Sequence, residues 1–284
     1  MQAAAFRDKW CVAGVARRAF VIACRGVGTT AQTPWRLLPQ VPSGPQATYE
    51  VVAAGDALYL MVTTVKRIRS STRAYRLLED GWRKVGGEIS SRGGIVRASA
   101  IAARPIVTIV QPVRPAVRAL SLGADGRWRP IAAQRTVRSL ARVGESPLLG
   151  TPQRIGEHLT LGLSRPTRYG LRFGVASLQD SEFTTAPVTR YGQAQGAVFG
   201  QGSGWAIWKE IRPGNEGMLR GTIRAARLSG RRSSWGHALA HARTLFDGTW
   251  IAANVTVTKE NGHLYAVHPV FTGHSIAYRM TRLE

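Results

Sequence analysis

Two stretches of the chain write the same hairpin. LLEDGWRKVG (77–86) and GADGRWRPIA (123–132) each close an apolar strand on an Asp-Gly pair, then reopen on a tryptophan. Asp and Gly both tolerate the positive φ that a tight hairpin turn demands, so the pair between two apolar runs is a strong local signal. A chain that repeats this device at a near-fixed interval is built from a repeated unit, and that restricts its folds more than any bulk property does.

Aligning on the strand before the turn extends the repeat over the whole length: TPWRLLPQ (33–40), TRAYRLLED (72–80), AVRALSLGAD (116–125), LRFGVASLQD (171–180), TIRAARLSG (222–230) and IAYRMTRLE (276–284). Four of these lead into an aromatic: Trp82, Trp128, Phe183 and Trp235. Ahead of each lies an apolar strand such as ALYLMVTTV (57–65) or GWAIWKEI (204–211). Ahead of those come small-residue strands such as TYEVVAA, IVRASAIAA, GAVFGQG and TWIAANVTV. Four short antiparallel strands per unit, repeated about six times, is the arithmetic of a β-propeller. The sequence therefore predicts an all-β chain forming a single β-propeller of six blades, over residues 9–47, 48–91, 94–135, 136–190, 194–241 and 245–284. Ala and Gly suit crowded innermost strands, and bulky aromatics suit the outer ones. The last unit stops after its third strand, so MQAAAFRD (1–8) is expected to supply the fourth and close the ring, because an open edge exposes unpaired backbone groups. Only HALAHARTLF (237–246) reads as possible helix. The competing architecture is a pair of β-sandwiches divided near Gly144–Gly150.

The turn Ala124-Asp125-Gly126-Arg127-Trp128, with a weaker copy at Leu78-Glu79-Asp80-Gly81-Trp82, resembles the Asp-box repeat of sialidases and related propellers. The resemblance implies a structural fold-back between the third and fourth strands of a blade, away from any active site. Both copies lack the Ser two positions before the Asp and the Thr before the Trp. Asp247-Gly248-Thr249-Trp250 has the Thr-Trp ending but falls ahead of an expected inner strand. No Gly-Gly doublet recurs per unit, so the likeness to kelch-type blades is loose. Sialidase chemistry would need an arginine cluster, a Tyr–Glu nucleophile pair and an Asp acid/base. Of the Phe/Tyr-Arg-Ile-Pro stretch near the family's N-terminus, Phe6-Arg7-Asp8-Lys9 supplies half.

Charge gives the functional direction. The chain carries 39 basic residues against 16 acids, a formal charge of +23. Five of the 39 are Lys (9, 66, 84, 209 and 259), so 34 are Arg. Such a field draws polyanions, and the planar guanidinium matches phosphate geometry. A GC-rich genome explains Arg over Lys but leaves the shortage of acids unexplained. The basic clusters fall in connections between strands, where a rigid scaffold displays binding residues. They are Lys66, Arg67, Arg69 and Arg73 in the second unit, Arg114 and Arg118 in the third, Arg165 and Arg168 in the fourth, and Arg231 and Arg232 in the fifth. These ten are the candidate nucleic-acid contacts. No aromatic RNP strand, GXXG loop or zinc knuckle accompanies them, so shape and charge rather than base readout would carry binding.

Catalytic and cofactor motifs are absent. His237 and His241 have helical i, i+4 spacing, but Ala238 stands where a zincin has Glu, so no metal is expected. There is no Gly-x-Ser-x-Gly elbow and no P-loop, and GQAQGAVFGQGSGW (192–205) has no helix after it. No cofactor is expected. Cys11 and Cys24 lie outside any CxxC spacing and read as free, buried thiols of a reducing compartment, although they could face each other across neighbouring strands. Up to Thr48 the only acid is Asp8, among six basic residues, a composition that suggests an organellar and above all mitochondrial address; the cytoplasm is the alternative. The reading is a non-enzymatic scaffold that binds RNA or a ribonucleoprotein particle, for which an organellar ribosome is the candidate, with other proteins as neighbours. The alternatives are a glycan-binding or glycan-cleaving propeller, with Trp205, Trp208 and Trp250 in a central cleft, and an interaction scaffold whose charge reflects genome composition alone.

Overall fold

The computed structural model describes the chain except residues 1, 17–18, 27–32, 42–46, 93–94, 102, 112–115, 137–147, 150–152, 168–169, 179–182, 186–192, 199–203, 214–218, 250–255, 261–262 and 272–275. The chain is all-β, with six antiparallel sheets formed by strands that follow one another in sequence. It divides into two compact units, Met1–Gln111 with Arg118–Ala133, and Pro112–Val117 with Gln134–Glu284.

The first unit holds three sheets. Sheet one runs β1 (Gln2–Phe6), β2 (Lys9–Ala16), β3 (Ala19–Gly26) and β4 (Arg36–Leu37). Sheet two runs β5 (Ala47–Ala54), β6 (Ala57–Lys66), β7 (Arg69–Leu78) and β8 (Gly81–Arg92). Sheet three runs β9 (Ile95–Ile101), β10 (Arg104–Gln111), β11 (Ala116–Leu122) and β12 (Trp128–Thr136). Sheet two is covered on both faces, which is why β6 reads as a nearly unbroken apolar run. Leu58, Leu60 and Val62 pack with Cys11, Ile22 and Cys24 of sheet one. Met61, Val52, Ala54 and Ile89 pack with Ala98, Val107, Ile109 and Leu120 of sheet three. Successive side chains point to opposite faces, so a doubly covered strand needs apolar residues at both parities.

The second unit repeats the plan less regularly. Its first sheet has β13 (Leu148–Leu149) and β14 (Gln153–Ile155) both paired to β15 (His158–Thr167), followed by β16 (Gly170–Ser177) and β17 (Phe183–Thr185). Next come β18 (Gln193–Val198), β19 (Trp205–Pro213), β20 (Leu219–Arg227) and β21 (Arg243–Thr249), with a 3-10 turn Arg232–Ser234 and a short helix α1 (Trp235–Ala240) between β20 and β21. The last sheet has β22 (Thr256–Glu260), β23 (His263–Phe271) and β24 (Ile276–Arg282). Trp208 stacks on Phe173 of the preceding sheet with centroids 4.8 Å apart, while Trp205 packs with Ala266 and Leu283 of the following one. The two tryptophans, three apart on one strand, thus serve opposite faces.

The repeated tryptophans act between sheets. Trp82 Nε1 donates to the Pro39 carbonyl beyond β4, and Trp128 Nε1 donates to the Gly87 carbonyl on β8. Asp125 organises the turn that presents Trp128: its carboxylate accepts from the Arg129 guanidinium at 2.7 Å and from the Arg127 backbone N–H at 3.2 Å. Those two donors, Arg129 foremost, hold its carboxyl below the usual range. The hairpin recurs because each copy ties one sheet to its predecessor.

Four expectations need correction. MQAAAFRD does not pair with the last sheet: Gln2–Phe6 pairs with Lys9–Ala13 across a two-residue turn with Arg7 at φ 53°. A hairpin closed over two residues forgoes the loop-closure entropy of joining distant termini. TPWRLLPQ accordingly carries the fourth strand of its sheet rather than the third. Trp235 starts α1 instead of opening an outer strand, whereas Asp247-Gly248-Thr249 ends β21, the fourth strand of its sheet, and so does fall ahead of the next sheet's first strand, β22. Finally, Cys11 and Cys24 face each other in the β2–β3 register and are joined by a disulfide, so they are not free thiols. Disulfides persist in oxidising compartments.

Candidate nucleic-acid interface

The basic cluster of the second unit is where the sequence-predicted residues meet. Lys66 ends β6 and Arg69 begins β7, separated by the exposed turn Arg67-Ile68 with Arg67 at φ 55°. Strand register puts Lys66 opposite Arg69 and Arg69 opposite Arg92 of β8. Three cations therefore form one row across three strands. Two residues further along, the same register aligns Thr64, Ser71 and Ser90. Beyond them Arg73 pairs with Glu88 at 2.9 Å, Glu88 being lifted by the irregularity in β8 between the partners of Thr72 and Ala74.

These residues line a cavity of about 810 Å³: Thr64, Lys66, Arg69, Ser71, Arg73 and Arg92 with Ser70, Glu88, Ser90 and Ser91. Glu88 is its one acid, and it is already engaged by Arg73. Among the described residues, Lys66, Arg69 and Arg92 have no acidic partner. Like charges placed directly opposite in a sheet are destabilising, so such a row works against folding unless something anionic offsets it. The hydroxyls on the two faces of β7 differ. Ser70 pairs with Ser91, and Thr63 with Thr72 at 2.8 Å, at buried positions of the three strands. Ser71 Oγ is buried against Glu88, and hydrogen bonds from Ser71 and Arg73 hold the Glu88 carboxyl below the usual range.

The other predicted contacts scatter. Arg118 is half-buried on β11, and Arg114 lies outside the described residues. Arg165 belongs to β15, its side chain beyond description, and Arg168 is outside the described residues. Arg118 and Arg165 therefore lie within strands, unlike the Lys66–Arg69 turn. Arg231 and Arg232 sit between third and fourth strands, hence at the other end of their sheet. Arg92 was missed, because only the pairing of β7 with β8 brings it beside Arg69. Its signal in the sequence was the run of hydroxyls, SSR at 90–92 against RSS at 69–71.

Two of the three tryptophans expected in a glycan cleft are core residues. Trp205 and Trp208 are core residues, 7% and 3% exposed, and Trp250 lies outside the described residues. The rings of His237 on α1 and His241 just beyond it lie 4.1 Å apart, tilted by 31°, and among the described residues no group of three His, Cys, Asp or Glu could hold a metal.

No protein-family model matches the chain, and no curated protein matches it in sequence. Solved structures match in fold. YCF48 from Cyanidioschyzon merolae is similar at 12% identity and a TM-score of 0.51, over 97% of this chain and 81% of that one. A Lactobacillus plantarum protein is similar at 9% identity and a TM-score of 0.50, over 96% and 82%. The Trypanosoma rangeli sialidase is matched at 10% identity with a TM-score of 0.47, over 99% of this chain and 54% of its own. The chain spans about half the length of that sialidase and of TolB from Acinetobacter baumannii. At these identities the likeness speaks for fold alone: an all-β protein of propeller-like sheets.

Proposed function

We propose that this chain is a non-enzymatic, RNA-binding β-propeller whose six sheets serve as blades and whose basic face on sheet two engages phosphates. The carrying observation is the cross-strand row Lys66–Arg69–Arg92, three cations without an acidic partner among the described residues. The overall charge of +23 supports the same reading by drawing a polyanion toward the surface. A ribonucleoprotein particle is the partner such a scaffold suits, with further proteins held on its remaining surface. The cavity holds no aromatic ring on which a base could stack, so binding is indifferent to base sequence. Its lone acid is ion-paired, which argues against a carboxylate pair working on a glycan there. The Cys11–Cys24 bridge supports an oxidising compartment within the organellar address suggested by the N-terminal composition.

The test is RNA affinity measured against salt concentration. Neutralising three phosphates predicts a log–log slope of about −2 for a single strand, steeper if other arginines take part. A flat slope, or no binding at low salt, overturns the proposal.

A further inference from the structure

We infer that, beyond binding RNA, the first unit attaches end-on to an anionic phospholipid surface, with Ile68 at the β6–β7 tip inserted among headgroups that Lys66, Arg67, Arg69 and Arg92 hold. Phosphate binding uses the cations of this end but gives the exposed aliphatic side chains among them no role.

Three contacts show which turns share an end of the unit. Arg7 Nε, just after β1, donates to the Asp56 carbonyl just after β5 at 3.3 Å, so the first turns of sheets one and two lie together. A Cβ on Gly55 would meet Ala103 Cβ at 3.2 Å, which brings the first turn of sheet three to the same place. At the other end of the strands Phe20 of β3 stacks on Tyr49 of β5, with centroids 4.3 Å apart. Register sets Phe20 opposite Val15 and Tyr49 opposite Val62. The ends of β2 and β6 therefore lie on one side of the unit, away from the Arg7–Asp56 contact.

That side combines what a headgroup region takes up. Ile68 is 64% exposed and Val65, beside Lys66, 42%. Val15, which carries the buried face of Cys11 and Ala13 past the core, is 75% exposed. One exposed aliphatic residue is ordinary, but three at one end among cations make the amphipathic pattern of an edge that lies in a membrane interface. Lys66, Arg67, Arg69 and Arg92 have no acidic partner among the described residues. The acids of the unit stand elsewhere. Asp8 and Asp56 follow first strands, Glu79, Asp80 and Asp125 follow third strands, and in antiparallel meanders both sets fall at the far end. Glu50 is engaged by Arg97 and Glu88 by Arg73. An anionic surface thus attracts one end of the unit and repels the other, which orients its approach. Among the described residues no helix is long and apolar enough to cross a membrane, and the attachment inferred is to the interface.

The experiment is co-sedimentation at low salt with vesicles of phosphatidylcholine alone and of phosphatidylcholine with phosphatidylserine, alongside RNA affinity measured against salt. It compares wild type with Ile68→Ser, Arg67→Gln and Ile131→Ser, the last an exposed aliphatic residue on β12. Wild type is expected to sediment with the phosphatidylserine vesicles and not with phosphatidylcholine alone. Arg67→Gln weakens that binding about fivefold, the worth of one cation at such a surface. Ile68→Ser weakens it about tenfold through lost apolar burial, and leaves RNA affinity and its salt slope unchanged. Ile131→Ser changes neither. No binding to phosphatidylserine vesicles, or binding that Ile68→Ser leaves intact, overturns the inference. Equal weakening of RNA and vesicle binding by Ile68→Ser overturns it as well, by giving that side chain to the nucleic acid. Vesicle binding without RNA binding overturns the proposed function and leaves this inference standing.

Discussion

Trp128 donates its indole N–H to the Gly87 carbonyl of the preceding sheet at 3.1 Å, resting against Gly86. Gly86 holds a left-handed φ of +69°, and a Cβ there would come within 2.9 Å of both Trp128 Nε1 and Leu122 Cδ1. Gly86→Ala is therefore expected to destabilise by about 1–3 kcal/mol in denaturant unfolding, through strain and overpacking together. Gly87→Ala is the control: a Cβ there meets nothing within 4 Å, so the change is expected to stay within about 0.5 kcal/mol. Trp128→Phe, which keeps the ring and loses the donor, should cost about 1 kcal/mol. Equal effects at Gly86 and Gly87 would remove the claim that the tryptophan is seated there.

Glu50 ties the first strands of sheets two and three, β5 and β9. Its carboxylate accepts from Arg97 Nη1 at 3.0 Å and from the Ala98 backbone N–H. Burial pushes its carboxyl up to about 7, outweighing the opposite pull of Arg97 and Ala98. A carboxyl whose folded value lies above its unfolded one favours folding while protonated. That contribution is complete below the ordinary value of 4.5 and is lost as pH rises through about 7. Urea unfolding of wild type against Glu50→Gln should show the wild type losing ground by up to about 1.4 kcal/mol per pH unit across that window. A difference independent of pH would show that Glu50 does not titrate there.

The bridge between Cys11 and Cys24 closes a loop with a sequence separation of 13. Replacing both residues by Ser is expected to cost about 3 kcal/mol, and reductant should lower the melting temperature of wild type but not of the double variant. Alkylation in denaturant without reductant should find no free thiol. Two alkylated cysteines would reverse the expectation.

Arg69 faces Lys66 on one side and Arg92 on the other. Arg69→Gln should therefore raise the protein's own stability at low salt by roughly 0.2–1 kcal/mol, even as it weakens anion binding. Added salt should shrink the gain by screening the repulsion. A variant less stable than wild type at low salt would mean that the row is not in repulsion.

The sequence alone carried the repeat, the order of strands within the second and third sheets, and the turns at Asp80 and Asp125. Each of these is a local matter: alternation sets a strand, and the φ that Asp-Gly tolerates sets a turn. It also carried one arm of the candidate site, because Lys66, Arg67 and Arg69 are neighbours along the chain. Register between strands was beyond it. Only tertiary pairing brings Arg92 beside Arg69, sets Ser70 against Ser91 and Cys11 against Cys24, and returns Gln2–Phe6 to its own sheet. The physical reason is that side chains alternate with period two along a strand. Which residues share a face across several strands therefore depends on pairing and on the shift within β8, and these come from the packing of both sheet faces rather than from any one segment.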